Sequence, residues 1–203
     1  MTDPVLHLLA GPNGAGKSTF FARVLGPITH LRFVNADEIA AAHWPGREVE
    51  HAYEAAAIAA DERQGLIEAR QSFVTETVFS HESKVELLRR AEVAGYRTTL
   101  HILMVPVDLA VVRVALRVEE GGHDVPEDKI RGRHARLWSH VREAIGVVDE
   151  AIVYDSSSAV GYRRVASYLD GHLVGEPEWP PWAPDALKQV GRGRRATGID
   201  RGP

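Results

Sequence analysis

Gly11-Pro12-Asn13-Gly14-Ala15-Gly16-Lys17-Ser18-Thr19 is the stretch on which the fold turns. It fits G-x-x-x-x-G-K-[ST], a loop that cradles phosphates. Ahead of it, Val5-Leu6-His7-Leu8-Leu9-Ala10 reads as a buried strand; behind it, Ser18 to Leu25 reads as the start of a helix. Glycines at 11, 14 and 16 let the backbone turn and approach a ligand where a Cβ would clash. Successive N–H groups of the loop, from Gly11 past Pro12, which has none, through Asn13 and Ala15 to Thr19, then face the phosphates with the helix N-terminus. Lys17 reaches the β- and γ-phosphates of a nucleotide, and the Ser18 hydroxyl is placed to bind Mg²⁺. A glycine-rich turn that binds nothing would leave Lys17-Ser18-Thr19 unexplained.

The 203 residues suffice for one α/β domain with a sizeable core. There is no cysteine, hence no disulfide framework and no thiol chemistry, which suits a cytoplasmic protein. Met1-Thr2-Asp3-Pro4 runs straight into the first strand without a charged leader, and no apolar run approaches membrane-spanning length. A net charge of −4 disfavours a dedicated nucleic-acid binder.

Strands are expected at 5–10, 33–35, 72–75, 96–105 and 151–154, with helices between them, including one long alanine-rich helix over 48–70. Gly95 reads as a helix C-cap and Asp108 as an N-cap. Segments 162–169 and 172–174 flank Asp170-Gly171, a two-residue hairpin signal. Residues 177–184, with Trp179 and Trp182, read as an irregular segment laid on the body. The expected architecture is α/β of the phosphate-loop kinase kind. It comprises a mostly parallel five-stranded sheet, helices on both faces and a small C-terminal hairpin. One kinase domain is expected over 1–187, with a lid at about 119–129 and a disordered tail over 188–203. Ligands then sit at the carboxyl ends of the strands.

Those strand ends narrow the chemistry. Neither an LSGGQ-type transporter signature nor an N-K-x-D guanine reader is present. The second strand delivers Asn35-Ala36-Asp37 and the third Thr75-Glu76-Thr77. Two carboxylates beside a phosphate loop suit a hydroxyl acceptor, one taking its proton and the other holding it. Asp37 has a competing reading as the N-cap of the helix beginning at Glu38. Glu76, directly after a buried apolar strand, needs a partner. Arg113 and Arg117 lie one turn apart on one helix, and Arg133 and Arg136 share a face of the next, across Gly121-Gly122. Such arginines can bring positive charge to a transferring phosphoryl group or form a solvated basic face.

Together these stretches resemble the zeta toxin family of phosphate-loop kinases, in its shorter, UDP-N-acetylglucosamine kinase-like form. The likeness is carried by the phosphate loop, Asn35-Ala36-Asp37, Thr75-Glu76-Thr77 and Arg117, and by Gly121-Gly122-His123-Asp124-Val125-Pro126 with Ile130 and Arg133. The Tyr162 to Ala166 run, the hairpin and the Trp179 to Trp182 segment add to it. The resemblance implies Asp37 as the base, Glu76 with Thr77 as acceptor-binding groups, and Arg117 and Arg133 as stabilisers of the phosphoryl group. Arg136 is a further candidate contact to the nucleotide. It implies ATP as phosphoryl donor, a UDP-amino sugar as acceptor and a small helical antitoxin as partner. The insertions that shape the sugar pocket of the long toxins are not evident. An antibiotic, a nucleotide cofactor or a polynucleotide end therefore stand as other acceptors, and a nucleotide-binding regulatory module as the reading without acceptor chemistry.

Overall fold

β1 (Val5–Ala10) is an interior strand buried on both faces, which is why its apolar run scarcely alternates. In the computed structural model, which describes residues 3–119 and 125–190, it pairs in parallel with β3 (Phe73–Thr77) and β4 (Arg97–Met104). β2 (Arg32–Val34) extends the sheet beyond β3, and β5 (Glu150–Asp155) extends it beyond β4, both in parallel. β6 (Arg163–Leu169) and β7 (His172–Val174) continue it antiparallel, giving seven strands in the order β2-β3-β1-β4-β5-β6-β7. The expected five parallel strands are present. The hairpin is present as well and forms the far edge of the same sheet, which brings the strand count from five to seven. Its turn forms at Asp170 and Gly171, both with positive φ, as a right-twisted hairpin requires.

α1 (Lys17–Phe20), a π turn (Phe21–Leu25) and α2 (Gly26–Thr29) run on as one helix. Pro27 supplies no N–H to the ladder, and the wider π turn lies directly ahead of it. α3 (Ala36–His43) and α4 (Ala52–Glu68) connect β2 to β3, with turns over 48–51 where one unbroken helix was expected. α5 (Ser83–Val93) has Ala94 as its C-cap, and the expected Gly95 follows it as the left-handed residue at φ 75° that closes the helix end. α6 (Val107–Glu119) takes Asp108 into its first turn, where its carboxylate accepts from Arg131 at 2.8 Å, so the N-cap expected of Asp108 is not its role. α7 (Glu127–Ile145) buries Ile130, Leu137, Val141 and Ala144 along one side, as its periodicity predicts.

The sheet separates two cores. One packs Leu6, Leu8, Phe73, Leu100 and Ile102 against α4, α5 and α7; the other packs Leu9, Val74 and Leu103 against Phe20, Ala110 and Ile130. Trp179 and Trp182 lie on the first core, followed by α8 (Asp185–Lys188). Lys188, Gln189 and Val190 belong to this body, Val190 packing on the core, so the tail expected from 188 does not begin there. The rest of that tail, 191–203, lies outside the described residues, as do 120–124 of the expected lid. No helix among the described residues is long and apolar enough to cross a membrane.

Candidate active site

The parallel strands end at one edge, and there the loop after β1 wraps the helix start. Gly16 is left-handed at φ 81° and caps α1 with no side chain on the first-turn N–H groups, which are thus open to an anion. Gly14 has φ 74°, and a Cβ there would lie 2.7 Å from the Ala110 carbonyl oxygen, so α6 presses directly on the loop. Lys17 is 7% exposed and its Nζ donates to Gly11 O at 3.1 Å and Pro12 O at 3.0 Å. Burial pulls its pKa below the usual lysine range; Glu76 and Asp37 work against that, while Arg117 and Arg133 add to it. Four charged groups, from β3, α3, α6 and α7, thus act on Lys17 at the start of α1.

Ser18 Oγ donates to Glu76 Oε2 at 2.9 Å, joining the loop to β3. Glu76 lies within β3 and not after it as expected, and Thr77 closes the strand. Burial raises the Glu76 pKa; Lys17 and the Ser18 hydrogen bond oppose this, and Asp37 and Glu38 reinforce it. Thr77 Oγ1 accepts from the Phe79 N–H at 3.2 Å and so helps to set the turn after the strand. Asn35, not Asp37, caps α3: its side chain accepts from the Asp37 N–H at 2.8 Å. Asn35 is therefore no part of β2, and Asp37 sits exposed in the first helical turn with its carboxylate unused by the cap.

Arg117 and Arg133 are half-buried, and Arg136 is exposed one turn further along α7. Arg113 has another task. Its guanidinium donates to Ser156 O at 2.8 Å, Ser157 O at 3.2 Å and Gly14 O at 3.4 Å, tying the loop after β5 to the phosphate loop. Tyr162 was not foreseen as a site residue. Its hydroxyl donates to Gly16 O at 3.0 Å, and its ring meets Phe20 edge-on at 4.9 Å. Nothing local marks it, because the contact spans 146 residues. Beside it a cavity of about 420 Å³ is lined by Asp155, Ser158, Val160, Gly161, Tyr162 and Arg163.

The residues fit Mg²⁺ as a partner of bound phosphates. Ser18 and Glu76 offer hard oxygen donors, while the described residues build no cluster of three or more carboxylate or imidazole groups. Mg²⁺ is commonly held this way, by one or two protein oxygens together with phosphates and water.

Fold and site are those of a phosphate-loop domain. The chain belongs to the zeta toxin family: the family profile, described as zeta toxin, matches residues 2–166. A search of curated proteins finds no match. Among solved structures it is similar to a chain of the AvrRxo1-ORF1:AvrRxo1-ORF2 complex with ATP, at 18% identity and a TM-score of 0.70, covering 98% of this chain and 66% of that one. In the native form of that complex the coverage is 86% of this chain and 61% of that one, with a TM-score of 0.69. The chain thus spans less than two thirds of those relatives. It is also similar to a chain of the PezAT chromosomal toxin–antitoxin system of Streptococcus pneumoniae, at 17% identity and a TM-score of 0.61, covering 75% of this chain and 69% of that one. At such identities the likeness is one of fold.

Proposed function

We propose that the chain moves the γ-phosphoryl group of Mg-ATP to a hydroxyl of a small molecule, with UDP-N-acetylglucosamine or a related nucleotide sugar as the default acceptor. The observation that carries this is the phosphate loop with buried Lys17 and with Ser18 Oγ joined to Glu76 Oε2 at 2.9 Å, where Asp37, Arg117 and Arg133 also act on the Lys17 charge. The ATP complex named among the similar structures supports the donor, and the toxin–antitoxin system supports a small antitoxin as partner. The cysteine-free composition suits a cytoplasmic site of action.

In this reading the loop N–H groups and Lys17 hold the β- and γ-phosphates. Ser18 would hold Mg²⁺, which would supply positive charge to the phosphates. Glu76 and Thr77 hold the acceptor, and Asp37 orients its hydroxyl. The acceptor oxygen bonds to phosphorus as the bond to the β-phosphate oxygen of ADP breaks, and the hydroxyl proton passes to Asp37. Arg117 and Arg133 face the charge spread over the equatorial oxygens. Arg136, exposed on α7, is assigned to the outer part of the nucleotide.

Incubation with γ-labelled ATP and either UDP-N-acetylglucosamine or a metabolite extract tests the proposal. Label should enter an acceptor with the wild-type chain and not with Lys17→Ala. ATP binding without label in any metabolite would favour the regulatory module instead.

A further inference from the structure

We propose that Arg113 is a positioning residue: by tying the phosphate loop to the sheet edge, it sets the shape of that loop and hence its affinity for a triphosphate, whatever base the nucleotide carries. The inference rests on the loop's taking phosphates and adds a residue that the proposed function does not use. Arg113, on α6, is half-buried. Its guanidinium donates to Ser156 O at 2.8 Å, to Ser157 O at 3.2 Å and, at its longest reach, to Gly14 O at 3.4 Å. Ser156 is the fixed end of this tie. It is 3% exposed, and its N–H and its hydroxyl both donate to Met104 O at 2.9 Å, where β4 ends. Gly14 is the end that is held. A Cβ there would lie 2.7 Å from Ala110 O, one turn before Arg113, so the missing Cβ is what brings α6 within reach of the loop.

Holding Gly14 O fixes more than one atom. A trans peptide unit is planar, and its C=O and N–H point opposite ways, so a tie on Gly14 O also aims the Ala15 N–H. That N–H donates to Pro12 O at 3.2 Å, and Pro12 O accepts from Lys17 Nζ at 3.0 Å as well. The tie therefore runs from the sheet edge through Arg113 and two peptide units to the lysine of the loop. Tyr162 works in the same way one turn on. Gly16 O accepts from its hydroxyl at 3.0 Å and from the Phe20 N–H at 2.8 Å, so the Lys17 N–H of that peptide unit points away from both, toward the open start of α1. N–H groups aimed before an anion arrives need no reorganisation when it binds. The residue type matters too. A guanidinium presents its donors as a planar fork wide enough for carbonyls on two loops, whereas an ammonium is a compact point charge.

The test is calorimetric titration of the full chain, in Mg²⁺ and well below each variant's melting temperature, with ATP and with inorganic tripolyphosphate, which has neither base nor sugar. Tripolyphosphate should bind the wild-type chain and not Lys17→Ala, which locates it in the loop. Arg113→Gln should bind both ligands about tenfold more weakly, by the same factor for each. Arg113→Lys keeps the charge without the fork and should regain only part of the loss; if Arg113→Gln does not fold, this variant decides alone. A loss confined to ATP would make Arg113 a contact to base or sugar and overturn the inference. So would wild-type affinity in either variant, tripolyphosphate binding that persists in Lys17→Ala, or a wild-type chain that does not bind tripolyphosphate. Failure of the kinase reading shows differently, as Arg113-dependent binding without transfer of label to any acceptor.

Discussion

His7 and His101 share one face of β1 and β4, with Nδ1 of His7 3.2 Å from Nε2 of His101, and the ring of His101 lies against Phe20 and Tyr154. One nitrogen of the contact must donate and the other accept, which a doubly protonated pair cannot do. His101 is 5% exposed and its Nδ1 has no partner. Burial, with a smaller push from His7, lowers its pKa from 6.5 to about 3. The unfolded chain therefore takes up a proton that the folded chain refuses. Stability is full above pH 6.5 and is lost as the pH falls from there toward 3. The gap of about 3.5 units sets a ceiling of roughly 5 kcal/mol, of which about 2 kcal/mol is lost by pH 5. His101→Gln keeps a hydrogen-bonding partner for His7 and cannot titrate. Urea unfolding of both proteins at pH 8 and pH 5 isolates the effect from carboxylates common to both. The wild-type chain should lose about 2 kcal/mol more than the variant between the two pH values. An identical pH dependence in the two proteins would refute a neutral, buried His101.

Three further outcomes follow from the site. Asp37→Asn should cut phosphoryl transfer by ~10²–10⁴-fold at nearly unchanged melting temperature and ATP affinity, because Asn35 already supplies the cap; normal turnover at saturating acceptor would move the base to Glu76. Gly14→Ala should destabilise by about 1–3 kcal/mol more than Gly46→Ala and weaken ATP binding. Both glycines have positive φ, but only at Gly14 does a Cβ meet backbone, so equal melting temperatures would rule out the close approach of α6. Tyr162→Phe removes the hydrogen bond to Gly16 O and keeps the ring on Phe20, so the KM for ATP should rise several-fold with stability lowered by about 1 kcal/mol; an unchanged KM would make the contact structural alone.

The sequence alone determined what is local. The phosphate loop, its flanking strand and helix, the buried face of α7, the Asp170-Gly171 turn and the Gly95 cap are each set by neighbours a few residues apart. Backbone conformation and amphipathic period are read at that range, so these elements were legible before any fold was known. Only the tertiary structure decided that Asn35 and not Asp37 closes the helix, a choice between two good capping residues two positions apart. It also decided that β6 pairs with β5 and carries the hairpin into the sheet. Arg113 and Arg117 look alike on α6, yet one ties down carbonyls and the other acts on Lys17. Tyr162 stood out only within the run from Tyr162 to Ala166, and its place at the site was not legible, because its partner Gly16 lies 146 residues away across packed elements. Sequence pattern specifies which face of an element is apolar; which polar side chains meet at the sheet edge depends on strand order and register, and these are settled only when the elements pack.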